Sequence, residues 1–150
     1  MWAAKGQQPQ ILSPSCRQKV AFLGALNLKS GHLLTQEAPT FSAQTFRDFL
    51  GHLLQETSGK LCLILDNARW HRSQDLQSLF QSQKKRLALL FLPPYSPELN
   101  PIERVWRVTR RLFTHNHFFA SLDELRSAVT AQFSKWGLPN SILKVLCANI

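Results

Sequence analysis

Two short apolar runs limit what this chain can fold into more than any other feature. LCLIL, residues 61–65, follows Gly59 and ends at Asp66-Asn67, while LALLFL, residues 87–92, follows Lys84-Lys85-Arg86 and ends at Pro93-Pro94. Each is short and uniformly apolar, and a proline pair cannot continue a hydrogen-bonded ladder. Both runs therefore predict buried strands, the first central in its sheet. With 150 residues and 44% apolar composition, the chain can bury one substantial core and is expected to be a single domain over residues 1–150.

The segments around these runs complete a mixed pattern. MWAAKGQQPQILSPS, residues 1–15, has scattered proline and glycine and no period, and reads as an extended arm. RQKVAFLGALNL and HLLTQEA, separated by Lys29-Ser30-Gly31, predict a β-hairpin with glycine in the turn. From Ser42, the spacing of Phe46, Phe49, Leu50, Leu53 and Leu54 predicts a helix of about four turns, with Thr40 and Ser42 as candidate caps. A second helix is expected over residues 73–83, then an arginine-rich helix to about Phe113, a helix over residues 121–136 and a short one from Pro139. The fold class is α/β, a mixed sheet flanked by helices. Residues 16–113 would hold the sheet and the acidic motifs, and residues 114–150 the C-terminal helices.

Lysine and arginine number 18 against 9 Asp and Glu, a net charge of +9. Clustered cations release condensed counterions on meeting phosphates, so DNA is the expected partner, with an anionic membrane surface second. Arg104, Arg107, Arg110 and Arg111 concentrate that charge on one helix. The apolar runs fall far below the roughly 18 residues that span a bilayer. Nor does the first segment carry the basic, apolar and small-residue order of a secretory signal. The expected location is therefore the cytoplasm, on the nucleoid when bound to DNA. Cys16, Cys62 and Cys147 lack zinc-ribbon spacing and disulfide density, and are expected to be reduced.

Two carboxylates stand out. Asp66 falls at the C-terminal end of a strand, where open α/β sheets present ligand-binding groups, although Asp-Asn after a strand is also an ordinary turn. In NPIE, Asn100 as N-cap and Pro101 at the first helical position place Glu103 where a capping box closes. A cap and a working carboxylate are compatible there. If the two acids converge, their hard oxygens suit Mg²⁺ or Mn²⁺. His71 either orients a carboxylate, contacts phosphate or shuttles a proton, or is a loop histidine bonded to backbone. His115-Asn116-His117 makes a weak metal pair and reads as a solvated loop. Trp106, Phe113 and Trp136 are expected in the core, and Tyr95 among prolines stiffens the approach to the helix.

LILDNARWH, followed after a helix and strand by LPPYSPELNPIERVW, resembles the catalytic domain of the mariner superfamily of transposases, especially its bacterial insertion-sequence branch. The resemblance implies a ribonuclease-H-like fold and a carboxylate triad that uses two Mg²⁺ or Mn²⁺ ions to cut and join DNA. It places the second acid on Asp66 and the third on Glu103, with 36 residues between them. Asn67 and His71 become accessory candidates, and Arg104, Arg107, Arg110 and Arg111 candidate DNA contacts. Glu98 receives no catalytic role.

In that family the first Asp ends a strand upstream of a WxxKGQxP segment, here WAAKGQQP at residues 2–9. Glu37, Asp48 and Glu56, the acids before Asp66, fall at the hairpin's end and in the first helix. The expectation is a domain without its first strand and without an upstream helix-turn-helix. It would be inactive alone, or would need complementation by an upstream transposase fragment or a full-length transposase. The alternative is a non-catalytic DNA- or transposase-binding fragment that modulates an intact copy.

Overall fold

The computed structural model describes residues 19–113, 115 and 117–148. The expected N-terminal arm, the WAAKGQQP segment and Cys16 lie outside the described residues. β1 (Ala21–Leu26) and β2 (Leu33–Ala38) form the expected antiparallel hairpin, with Ala21 opposite Ala38 and Leu26 opposite Leu33. The turn is set by Asn27, whose Oδ1 accepts from the N–H groups of Lys29 at 2.9 Å and Ser30 at 3.2 Å. Gly31 then takes a positive φ of 72° that a side chain would strain. A Cβ there would also meet the Asn140 carbonyl oxygen at 2.0 Å, so the turn docks closely on the start of the last helix.

Alternation along β1 feeds two cores. Leu23 and Ala25 point into one cluster, Phe22 and Leu26 into the other. The first is closed by α1 (Ala43–Glu56), which buries Phe46, Phe49, Leu50, Leu53 and Leu54. Ser42 starts this helix as predicted: its Oγ accepts from the Thr45 N–H at 3.1 Å, and Thr45 Oγ1 accepts from the Ser42 N–H at 2.9 Å. Arg86 secures the other end. Its guanidinium donates to the carbonyls of Leu54 at 3.1 Å, Thr57 at 2.7 Å and Gly59 at 3.3 Å, so the last member of the basic Lys84-Lys85-Arg86 run is part of the framework.

β3 (Leu61–Leu65) and β4 (Leu87–Phe91) pair in parallel, Leu61 opposite Leu87. The helix expected over residues 73–83 is shorter than its pattern. Two 3₁₀ turns, Arg69–Arg72 and Gln74–Leu76, precede α2 (Gln77–Ser82). Ser73 Oγ accepts from the Asp75 N–H at 3.3 Å and donates to the Asp75 carboxylate at 3.1 Å, local bonds that compete with a regular helix.

Burial of these two strands departs from expectation as well. Leu61, Leu63, Leu65, Leu89 and Phe91 pack toward α1, but Cys62 and Ala88 are exposed and Leu90 is 53% exposed on the opposite face. The helices that cover that side, α3 (Ile102–Phe113), α4 (Leu122–Trp136) and α5 (Ser141–Ala148), sit over the hairpin instead. There Leu33, Val105, Val129, Phe133, Trp136, Leu143 and Cys147 form the second cluster. Phe133 is its hub, edge-on to Phe22 with ring centroids 5.0 Å apart and 5.8 Å from Trp106. Gly24 lets the Trp106 indole lie against β1, since a Cβ there would fall 2.6 Å from its Cη2 atom.

Trp106, Phe113 and Trp136 thus contribute to the core as expected. Ser121 caps α4 by accepting from the Glu124 N–H at 3.2 Å. Cys62 and Cys147 are free thiols. Among the described residues no helix is long and apolar enough to cross a membrane.

Candidate active site at the ends of β3 and the first turn of α3

Asp66 immediately follows β3, and the 3₁₀ turn after it folds back so that His71 returns to the same carboxylate. Asp66 Oδ1 accepts from the Ala68 N–H at 3.1 Å and lies 2.8 Å from His71 Nδ1, which is also 3.2 Å from the Asp66 carbonyl. Two acceptors around Nδ1 assign the proton to that nitrogen. The imidazole is buried against Phe46 and Trp70, with centroids 4.4 Å and 3.8 Å away. Burial holds the His71 pKa below its ordinary 6.5, outweighing the opposing charge and hydrogen bonds of Asp66. A neutral ring therefore orients Asp66. Both contacts use Oδ1, and the carboxylate side chain is 55% exposed, so Oδ2 is the oxygen open to a ligand.

Asn67 closes the two parallel strands together. Its Nδ2 donates to the Leu92 carbonyl, its Oδ1 accepts from Arg72, and the Arg72 guanidinium lies 4.4 Å above the Phe91 ring. The clasp fixes where the chain leaves β4 for the proline loop. In that loop Tyr95 has a φ of 57° and is fully exposed. A 3₁₀ turn, Pro97–Leu99, leads into α3.

Glu103 sits in the first turn of α3, where the helix dipole favours negative charge. Its N–H donates to the Asn100 carbonyl at 3.0 Å and that of Arg104 to the Pro101 carbonyl at 3.1 Å, so main-chain bonds close the turn. The start of α3 is anchored from behind by α5. Cys147 Sγ donates to the Pro101 carbonyl at 3.4 Å, and the Arg104 guanidinium donates to the Leu146 carbonyl at 2.9 Å. Burial raises the Cys147 pKa, partly countered by the nearby Arg104 charge, which keeps the thiol protonated as a donor.

Asp66, Asn100 and Glu103 line one pocket of about 390 Å³ with the proline loop and Tyr95 at its rim. Asp66, His71 and Glu103 also border a larger cavity of about 1120 Å³. Asp66 and Glu103, the acidic residues singled out in the sequence and separated by 36 residues, thus line the same pocket. Of the four arginines, Arg107, Arg110 and Arg111 are exposed on α3, whereas Arg104 is half-buried. Among the described residues no three His, Cys, Asp or Glu side chains gather into a metal-binding cluster. Mg²⁺ is commonly held by one or two carboxylates together with waters and substrate phosphates, and Asp66 and Glu103 are the acidic side chains that line this pocket with Glu98 absent from it. Sequence reasoning missed the Asn67–Arg72 clasp and the Arg86 anchor, since only the three-dimensional course of the chain supplies their carbonyl and ring partners.

Helices on both sides of strands, with carboxylates where a strand and a later helix meet, define a mixed α/β domain of the ribonuclease-H-like kind. The fold is similar to that in the crystal structure of the Mos1 strand transfer complex, with a TM-score of 0.64 at 16% identity, over 89% of this chain and 41% of that one. Residues 1–126 match the DDE superfamily endonuclease family, and the chain belongs to that family. A Shigella sonnei relative, the insertion element IS630 uncharacterized 39 kDa protein, is 28% identical over 130 residues, which is 85% of this chain and 38% of the relative. The uncharacterized protein y4pE/y4sA of Sinorhizobium fredii is 38% identical over 73 residues, 49% of this chain and 50% of its own length. The chain therefore spans half or less of the curated relatives it matches.

Proposed function

We propose that this chain is the metal- and DNA-binding part of a transposase-type endonuclease, in which Asp66 and Glu103 hold Mg²⁺ or Mn²⁺. The observation that carries this reading is the shared pocket of the two carboxylates, one at the end of β3 and one in the first turn of α3. A bound divalent ion supplies activation of a water and stabilisation of the leaving oxygen of a phosphodiester. The chain's own residues prepare that site. His71 fixes Asp66 Oδ1 on a side chain that stays 55% exposed, and the α3 turn presents Glu103 from a helix closed by main-chain bonds. Arg107, Arg110 and Arg111 contact the DNA backbone beside it, and exposed Tyr95 meets the strand at the pocket rim.

The reaction class is hydrolysis of one DNA strand followed by transfer of its 3′-hydroxyl to a target. The triad implied by the resemblance includes a further Asp, which an upstream transposase region would contribute, and the protein acts in the cytoplasm on nucleoid DNA. The test mixes this chain with a separately produced upstream transposase region, element-end DNA, and Mg²⁺ or Mn²⁺. Cleavage is expected in the mixture and not with either part alone, and it is expected to disappear with Asp66→Ala or Glu103→Ala. Mixtures that cut equally well with both substitutions would overturn the assignment.

A second reading, a non-catalytic fragment that binds DNA or an intact transposase, draws on the exposed arginines of α3 and on the lack of a three-ligand cluster among the described residues. Salt-dependent DNA binding indifferent to Asp66→Ala, together with co-purification of full-length transposase, would favour it.

A further inference from the structure

We infer that Arg104 and Cys147 are positioning residues for Glu103, acting through a clasp that ties the first turn of α3 to the last turn of α5. The first N–H groups of a helix lack partners within it, so the opening turn is the part that frays and lets its side chains shift. Glu103 stands in that turn. Two main-chain bonds close it, from the Glu103 N–H to the Asn100 carbonyl at 3.0 Å and from the Arg104 N–H to the Pro101 carbonyl at 3.1 Å. The same Pro101 carbonyl accepts from Cys147 Sγ at 3.4 Å, while the Arg104 guanidinium donates to the Leu146 carbonyl at 2.9 Å. The two helices therefore exchange bonds reciprocally, α3 donating to Leu146 and α5 donating to Pro101. Glu103 lies between the two residues of α3's opening that are held, so a rotation of this turn strains both bonds.

α5 is itself fixed, which lets it act as a support. Its start is bound to the hairpin: the Asn140 N–H donates to the Ser30 carbonyl at 3.0 Å, and a Cβ on Gly31 would meet the Asn140 carbonyl oxygen at 2.0 Å. Asn140 Oδ1 also accepts from the N–H groups of Ile142 at 2.9 Å and Leu143 at 3.1 Å, which caps the helix. Leu143 and Cys147, one turn apart, are buried in the second cluster. Eight residues of helix span about 12 Å, and over that distance α5 relates the hairpin turn to the turn that carries Glu103. The two bonds of the clasp differ in strength. A guanidinium is a charged donor and a thiol a weak one, so Arg104 carries the larger share. Groups that orient a metal ligand change metal affinity by about 10–100-fold, and a clasp that works through the main chain belongs at the lower end. That consequence rests on the proposed role of Glu103 as a metal ligand, whereas the hold on the turn does not.

The experiment uses the full chain with Arg104→Met, Arg104→Lys, Cys147→Ala and Cys147→Ser, read by amide hydrogen exchange without metal and by Mn²⁺ titration followed by electron paramagnetic resonance. Lysine restores a cationic donor that methionine lacks, and serine differs from alanine by a donor at nearly the same volume. Arg104→Met is expected to speed exchange of the amides at positions 103 and 104 by about tenfold beyond the uniform change that its urea-measured stability loss produces, and to weaken Mn²⁺ binding by about tenfold. Cys147→Ala should shift both in the same direction by about threefold, as befits the weaker donor. Arg104→Lys and Cys147→Ser should recover most of each loss. Exchange that rises uniformly along α3, or does not rise, overturns the inference, because a merely structural role gives that result. Equal behaviour of Arg104→Met with Arg104→Lys and of Cys147→Ala with Cys147→Ser overturns it too. If Arg104→Met fails to fold, the Cys147 pair decides on the same amides. A wild-type chain that binds no Mn²⁺ would overturn the metal reading of Glu103, while the metal-free exchange still decides the clasp.

Discussion

Arg104 and its neighbours on α3 offer a decisive comparison, because the four arginines of this helix divide between one bonded to the framework and three exposed at the surface. The Arg104 guanidinium donates to the Leu146 carbonyl at 2.9 Å, in the last turn of α5, where a cation also complements the helix dipole. A hydrogen bond from a charged donor contributes about 1.5–3 kcal/mol, and partial exposure favours the lower end. Arg104→Ala is therefore expected to destabilise the chain by about 1.5 kcal/mol, or roughly 4–6 °C in Tm for a domain of this size. Its effect on DNA affinity should be uniform in salt. Arg107→Ala and Arg111→Ala remove exposed cations, so they should leave Tm nearly unchanged and lower the slope of log K against log salt by about 0.9 per lost phosphate contact. Between 50 and 200 mM salt, that slope change alters the affinity ratio by about 3.5-fold. Thermal denaturation and fluorescence anisotropy across a salt series measure the two effects separately. A reduced salt slope with unchanged Tm for Arg104→Ala would refute the division.

Three further outcomes follow from the packing. His71 has a folded-state pKa depressed below 6.5, so the unfolded state binds more protons as pH falls through that value, and stability should decline on acidification below it. Denaturant titrations from pH 7.5 downward should show this slope reduced in His71→Asn, and an unaltered slope would contradict the buried neutral ring. Phe133→Ala removes the ring shared by Phe22, Trp106 and Trp136, and should cost about 3–5 kcal/mol by urea denaturation. A loss under about 1 kcal/mol would show that the second cluster does not depend on it. Gly31→Ala should destabilise by more than about 1 kcal/mol, because both its φ of 72° and the 2.0 Å approach to Asn140 oppose a side chain; an unchanged midpoint would refute the docked turn.

Several elements were legible because their causes are local. The hairpin follows from alternation and a glycine turn, α1 from a helical apolar period behind Ser42, and both parallel strands from bounded apolar runs. The helix expected over residues 73–83 was misjudged in extent, since the Ser73 and Asp75 side chains bond the backbone in competition with it. The burial of β3 and β4 was misjudged for a different reason. A uniform apolar run states what both faces tolerate, not which helices arrive to cover them.

The sequence by itself determined the order of the main elements and the family, and singled out two carboxylates, because motif spacing and apolar period are properties of contiguous residues. Only the tertiary structure decided that Asp66 and Glu103 line one pocket, that His71 grips Asp66 as a buried neutral ring, and that Arg104 serves α5 while Arg107 and Arg111 are exposed. Arginines within one helix are chemically identical in the sequence. Their roles separate when packing places a carbonyl beside the Arg104 guanidinium and leaves Arg107 and Arg111 exposed.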